Sequence, residues 1–177
     1  MPAWKSRGLR GSALEELINR SNEKYLEKGL ACIQKIPTPI TPIKMNSDTK
    51  QITLAYFDKK STVDYIGAVQ GIPVCFDAKE CVPDTFAIAN IHEHQVEFMR
   101  KWEEQEGVAF LIIHFMERDK LYFMPFSEVL KFWNRAKEGG RKSFRYDELD
   151  EGFEILSAEG VPVHYLEALR MYLENKS

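Results

Sequence analysis

The chain has 177 residues, 44% of them apolar, with 11 Phe, 3 Cys and a formal net charge of −3. That length and apolar content suit one ordinary domain with a real core and exclude a disordered chain. The sequence lacks an apolar run of about 18 residues, so a membrane span is excluded too.

The first residues show no signal-type apolar stretch, and the sparse, odd-numbered cysteines Cys32, Cys75 and Cys81 fit free thiols, so a cytoplasmic location is expected. The charge is uneven: residues 1–60 hold 11 Lys/Arg against 6 Asp/Glu, and residues 61–177 hold 13 against 21. Phosphate binding needs a local basic face whatever the total, although a solvated surface looks the same.

Residues 1–11, with Lys5, Arg7 and Arg10 among glycines, read as a flexible basic arm. Ser12 and Glu15 form a capping box. Leu14, Leu17, Ile18, Ser21 and Tyr25 then make one helical stripe, which Gly29 ends. Glu16 lies beside that stripe, either solvated or leaning toward a site at its edge. Leu30 to Ile36 reads as a strand. Pro37, Pro39 and Pro42 next exclude a helix or a central strand and stiffen an extended segment. With a turn near Asn46 and a returning strand from Gln51 to Phe57, residues 37–56 predict a projecting arm or a surface loop. Lys44 and Lys50 flank its tip.

From Ser61 to Glu80 the pattern predicts a β-hairpin with its turn at Gln70-Gly71. Strand alternation puts Val74, Phe76 and Ala78 on an apolar face and Asp77 and Lys79 on the other. A carboxylate and an ammonium at the end of an apolar strand are costly to bury without a partner or a task. Asp64, on the preceding strand, reaches the same place. Two carboxylates and a lysine suit a hard cation with a phosphate above it, although a structural ion pair is the commoner meaning of acid-x-lysine.

Asn90, with Glu93 three residues on, predicts the cap of a second helix that Gly107 ends. His92, Gln95, Val96, Met99 and Glu103 share one face of it, and His94 lies on another. Cys75, Cys81, His92 and His94 have spacings unlike a zinc site. Val108 to Phe115 reads as a central strand buried on both faces. After a turn at Arg118-Asp119-Lys120 another strand runs from Leu121 to Phe126. Ser127 is expected to cap a third helix with Val129, Leu130 and Trp133 inward, stopped at Gly139-Gly140. Arg141, Lys142 and Arg145 form a basic patch, residues 147–154 hold five carboxylates, and an amphipathic helix runs from His164 to Glu174. The order predicts an α/β domain with helices on both sides of a mixed sheet.

Several separate motifs, in order, resemble one family. They are Ser6-Arg7-Gly8, Leu14-Glu15 with Asn19, Asn22 and Tyr25-Leu26, Pro37-Thr38-Pro39, Ala55-Tyr56-Phe57, and Ser61-Thr62-Val63-Asp64-Tyr65. Phe76-Asp77-Ala78-Lys79-Glu80, His92-x-His94-Gln95-x-Glu97, Phe132-Trp133 and Gly140-Arg141-Lys142-Ser143 complete the set. Together they resemble the RecU Holliday junction resolvases of Gram-positive bacteria and their phages, within the PD-(D/E)xK nuclease superfamily. The resemblance implies a restriction-endonuclease-like core with a β stalk at about 37–56, and a homodimer acting in recombination and repair. Such a dimer holds a four-way DNA junction and nicks two opposed strands. It implies Mg²⁺, with Mn²⁺ as substitute, held by Thr62, Asp64, Asp77 and Gln95, and catalysis by Asp64, Asp77 and Lys79.

The basic residues Arg7, Arg10, Lys44, Lys50, Arg141, Lys142 and Arg145 are the expected phosphate contacts. Asp77 stands where the family has Glu, one methylene shorter. A basic tail and stalk shorter than those of the cellular proteins point, within this resemblance, to a phage or prophage member, and a recombinase partner is left open. The alternatives are a related nuclease acting on other branched or linear DNA, and a non-catalytic junction-binding module.

Overall fold

Ser12 opens the first helix as its cap, its hydroxyl accepting the Glu15 N–H at 3.2 Å, and the helix, α1, spans Ala13–Glu27. The computed structural model describes residues 12–57 and 62–176. The arm residues Arg7 and Arg10, and Ser61, lie outside the described residues. Gly29 closes the α1 end with φ +67, a conformation glycine adopts without strain.

The strands are β1 Ala31–Lys35, β2 Ile40–Asn46, β3 Gln51–Phe57, β4 Tyr65–Val69, β5 Ile72–Cys81, β6 Thr85–Ala87, β7 Val108–Phe115, β8 Lys120–Pro125, β9 Ser143–Arg145 and β10 Glu154–Ile155. The later helices are α2 Glu93–Glu104, α3 Phe126–Lys137 and α4 Tyr165–Lys176. Six strands form one sheet in the order β1-β4-β5-β7-β8-β10. Its β5–β7 pair is parallel and the others are antiparallel. The parallel pair follows from the α2 crossover, because a tight turn joins antiparallel strands only.

The β4–β5 turn has Gln70 at φ 47 and Gly71 at φ 90. Positive φ at both central residues is what a two-residue hairpin turn matched to strand twist requires. β7 is buried along both faces apart from half-buried His114, as its unbroken apolar run predicts.

Aromatic rings tie the sheet together across four strands. Tyr65 stacks on Phe76 at 4.7 Å, Phe76 on Phe110 at 4.7 Å, and Phe110 meets Phe123 at 4.4 Å. Tyr165 of α4 packs on Phe76 at 5.1 Å and meets Tyr25 of α1 edge-on at 5.2 Å, so α1 and α4 cover this face. Each such pair adds about 0.5–1.5 kcal/mol beyond its buried area. The hydroxyl of Ser21, inside the apolar stripe of α1, accepts the Val163 N–H at 2.9 Å and donates to the Leu17 carbonyl at 3.0 Å. It thereby satisfies a buried amide on the approach to α4. The opposite face receives α2 and α3.

β2 and β3 pair with each other as a separate two-stranded sheet. Pro42 sits in β2 beside a register shift, the setting in which a strand tolerates proline. Side chains along both strands are exposed except Thr41 and Ala55, which are half-buried. Among them are Ile43, Met45, Leu54, Tyr56 and Phe57, the last 77% exposed.

Several sequence expectations need correction. The cap of α2 is His92, two residues after Asn90, because residues 88–90 are taken up by a short 3-10 turn. The side chain reaching back to the cap amide is that of Gln95. At the far end of α2 the positive φ, +63, belongs to Glu106. Gly107 is required instead for close approach, since a Cβ there would lie 2.4 Å from the Trp102 Nε1. α3 is capped by Pro125, and Ser127 lies within its first turn. Its buried residues are Phe126, Val129 and Phe132, while Leu130 and Trp133 are half-buried. Phe132 is drawn inward by stacking on Phe144 at 4.6 Å. The β6–β9 pair and β10 were not anticipated, because strands of two or three residues carry too little alternation to read. Among the described residues no helix is long and apolar enough to cross a membrane.

Candidate active site

β5 carries the centre of the site. Asp77 is 2% exposed, although its neighbours Val74, Cys75 and Phe76 belong to the core. Its strand is interior to the sheet and has α1 and α2 packed against it, so any polar side chain buried there needs partners.

Three side-chain and backbone donors supply them. Asp77 Oδ1 accepts the Asp64 backbone N–H at 3.0 Å. Asp77 Oδ2 accepts the Gln95 Nε2–H at 3.0 Å and pairs with Lys79 Nζ at 2.7 Å. Asp64 lies one residue before β4, at the mouth of the hairpin and not within its strand. Its Oδ2 accepts the Ala78 N–H at 3.0 Å, which holds its carboxylate against Asp77.

α2 delivers Gln95 from the other side. Its Oε1 accepts both the His92 N–H at 3.1 Å and a Lys79 ammonium proton at 3.3 Å. Asp64, Asp77, Lys79 and Gln95 are therefore one hydrogen-bonded unit. Thr62 lies two residues before Asp64, half-buried in the bend that leads to β4.

Burial, reinforced by the neighbouring Asp77 charge, pushes the Asp64 carboxyl up to about 6 from its ordinary 3.8. The Ala78 N–H and the Lys35 charge pull it back in part. Two carboxylates held together against their own repulsion are stabilised by a cation. Among the described residues no group of three or more His, Cys, Asp or Glu gathers as a metal cage. Such a pair fits Mg²⁺, which takes one or two carboxylates and keeps waters or phosphate oxygens for the rest. It does not fit zinc: Cys75 is fully buried and Cys81 donates to the Pro83 carbonyl.

Other expectations are redistributed. Glu16 is exposed and away from these contacts; Glu15 is the residue of α1 that turns inward, bonding Lys35 Nζ at 2.5 Å. Lys35 lies 5.2 Å from the Tyr65 ring. The sequence signal for Lys35 was absent, because its place beside Asp64 depends on the β1–β4 register that sets it opposite Tyr65. His92 and His94 were expected on separate faces, but their rings stack at 5.5 Å, since His92 precedes the helix and is not on its spiral.

Arg141 bonds the Glu148 carboxylate, which Arg135 shares at 3.1 Å, so the acidic segment neutralises part of the basic patch. Lys142 and Arg145 remain exposed, as do Lys44 and Lys50 on the β2–β3 hairpin. A cavity of about 560 Å³ bordered by Glu128, Asp150, Phe153 and Tyr172 does not include Asp64 or Asp77.

Comparison with known proteins adds the family. The profile described as Recombination protein U matches residues 9–171. The chain is 38% identical over 173 residues to the protein named Holliday junction resolvase RecU of Pediococcus pentosaceus, covering 95% of this chain and 86% of that one. It is 39% identical over 160 residues to the like-named protein of Oceanobacillus iheyensis, covering 88% and 79%. A solved structure of Archaeoglobus fulgidus Hjc, a Holliday junction resolvase, aligns at 11% identity with a TM-score of 0.36, over 59% of this chain and 74% of that one. A likeness that slight adds nothing to the sheet and helices already described. The match along nearly the whole chain and the two relatives agree, and the chain belongs to the Recombination protein U family.

Proposed function

We propose that this chain is a Mg²⁺-dependent endonuclease that resolves four-way DNA junctions as a homodimer, nicking two opposed strands during recombination and repair in the cytoplasm. The observation that supports it is the hydrogen-bonded Asp64–Asp77–Lys79–Gln95 unit where β5, the start of β4 and α2 meet. Relatives of this chain carry the name Holliday junction resolvase.

In this reading Asp64 and Asp77 hold the cation, and Thr62 and Gln95 complete or position its shell. Bound there, Mg²⁺, or Mn²⁺ in its place, supplies an acidified water and charge neutralisation at the phosphate. Asp64 is kept in place by the Ala78 N–H at its Oδ2, so its carboxylate stays beside Asp77, where the two together would hold the cation. Lys79, held 2.7 Å from Asp77 Oδ2, is the cationic side chain of the unit. It offsets charge on the pentacovalent phosphate and orients the attacking water. Asp77, one methylene shorter than Glu, still reaches Asp64, because Asp64 N–H closes on it directly.

The β2–β3 hairpin would enter the centre of the junction. Its exposed Ile43, Leu54, Tyr56 and Phe57 suit contact with the open base faces found there. Lys44, Lys50, Lys142 and Arg145, with Arg7 and Arg10 of the arm, would contact phosphates, which position DNA without reading its sequence.

The test is cleavage of a synthetic four-way junction with Mg²⁺. Paired nicked duplexes are expected, and Asp64→Asn should bind the junction without cutting it. Equal cutting of linear duplex would assign a less selective nuclease. Binding without cutting in Mg²⁺ and Mn²⁺ would assign a non-catalytic module.

A further inference from the structure

Gln95 stands out as a 6%-exposed amide whose every polar atom is engaged by the protein. A hard cation binds an amide through its carbonyl oxygen. That oxygen has two acceptor sites. Here Oε1 already accepts the His92 N–H at 3.1 Å and Lys79 Nζ at 3.3 Å.

The orientation of the amide is fixed by its surroundings. Oε1 faces two donors and Nε2 faces the Asp77 carboxylate at 3.0 Å. Rotating the amide by half a turn would set NH₂ against an N–H and an ammonium, and oxygen against a carboxylate. A divalent cation bound through Oε1 would have to displace the Lys79 hydrogen bond, because both acceptor sites of that oxygen are taken. It would also strip the bond from His92, one of the helix-start amides that lack an intrahelical partner.

We propose that Gln95 is a positioning residue that holds Asp77 and Lys79 in register through one amide, and that it does not ligate the catalytic cation. This rests on the metal-dependent reading above. One end of the amide aims the Asp77 carboxylate toward Asp64. The other stations Lys79 beside it, with the backbone of the α2 start as the fixed point. Lys79 is thereby kept next to the metal-binding oxygens instead of extending into solvent.

The test measures Mn²⁺ binding to the full chain without DNA, by calorimetry, beside steady-state cutting of a four-way junction. Gln95→Met keeps the length and removes the hydrogen bonds. It should bind Mn²⁺ within about threefold of the unsubstituted protein while kcat falls about 10- to 100-fold at unchanged KM, on the scale of losing one preorganised donor. A tenfold or larger loss of Mn²⁺ affinity with an unchanged melting temperature would overturn the proposal. Gln95→Glu is the second variant, for use if Gln95→Met does not fold. It keeps oxygens for His92 and Lys79 but sets a carboxylate against Asp77. Cutting should fall at least about tenfold, whereas a ligand role predicts that cutting is retained. Failure of the unsubstituted protein to bind Mn²⁺ would instead sink the metal-dependent reading, and this inference with it.

Discussion

Asp64 and Asp77 are joined twice across the hairpin. The Asp64 backbone N–H donates to Asp77 Oδ1 at 3.0 Å, and the N–H of Ala78, next to Asp77, donates to Asp64 Oδ2 at 3.0 Å. The exchange holds two like charges side by side before any cation arrives.

That repulsion has a pH signature. The Asp64 carboxyl is pushed up to about 6 by burial and then by Asp77, against an ordinary 3.8. Below the ordinary value it is protonated folded or unfolded, and costs nothing. As pH rises from the ordinary value to about 6 the unfolded chain ionises it while the folded protein still holds the proton, so stability falls, and the loss is complete once the folded carboxyl has ionised as well. Asp64→Asn should therefore make the metal-free protein more stable at pH 7.5 than the unsubstituted one, by on the order of 1–3 kcal/mol. The advantage should vanish near pH 4. Urea unfolding in EDTA at both pH values measures it. Added Mg²⁺ should raise the melting temperature of the unsubstituted protein more than that of the variant.

Removing Lys79 should separate metal affinity from chemistry. Its ammonium lies 2.7 Å from Asp77 Oδ2, where it competes with a cation. Lys79→Met should bind Mn²⁺ at least about threefold more tightly, since even a screened unit charge at this range is worth about 1 kcal/mol. Junction cutting should fall about 10²- to 10³-fold. Calorimetry and single-turnover cleavage on the same preparation check both.

A longer acid can be placed at position 77. In Asp77→Glu the extra methylene pushes the carboxylate into Lys79 and Gln95, which now fit Asp at 2.7 and 3.0 Å. Overpacking of this kind costs about 1–3 kcal/mol. The melting temperature should fall, while cutting persists because the charge is unchanged. Complete loss of cutting would show that the surrounding unit is built for Asp.

The hairpin residues Tyr56 and Phe57 are 52% and 77% exposed, so they contribute little to the core. Replacing both with Ala should leave the melting temperature within a few degrees, yet weaken junction binding by about 1–3 kcal/mol for each base they stack upon. Fluorescence anisotropy with a junction and a linear duplex of equal length separates this from general loss of affinity.

Much of this molecule was legible in residue order. The Ser12 cap of α1 (though not the return bond from Glu15, whose carboxylate goes to Lys35), the Gln70-Gly71 turn, the nearly unbroken apolar run of β7, and the pairing of Asp77 with Lys79 all depend on neighbours within a few residues, where periodicity and turn chemistry act. Those local rules, with motifs resembling a family, pointed to the candidate site on β5. Other features arise between segments far apart in sequence. Lys35 reaches the Asp64 neighbourhood because β1 pairs with β4, and the nitrogen and oxygen of the Asp77–Gln95 contact meet because α2 packs against β5. The sequence by itself determined which side chains were available and which face of the strand they took. Only the tertiary structure decided that Gln95 spends its amide on Asp77, Lys79 and His92, because hydrogen-bond partners in a buried site are assigned by packing and not by spacing.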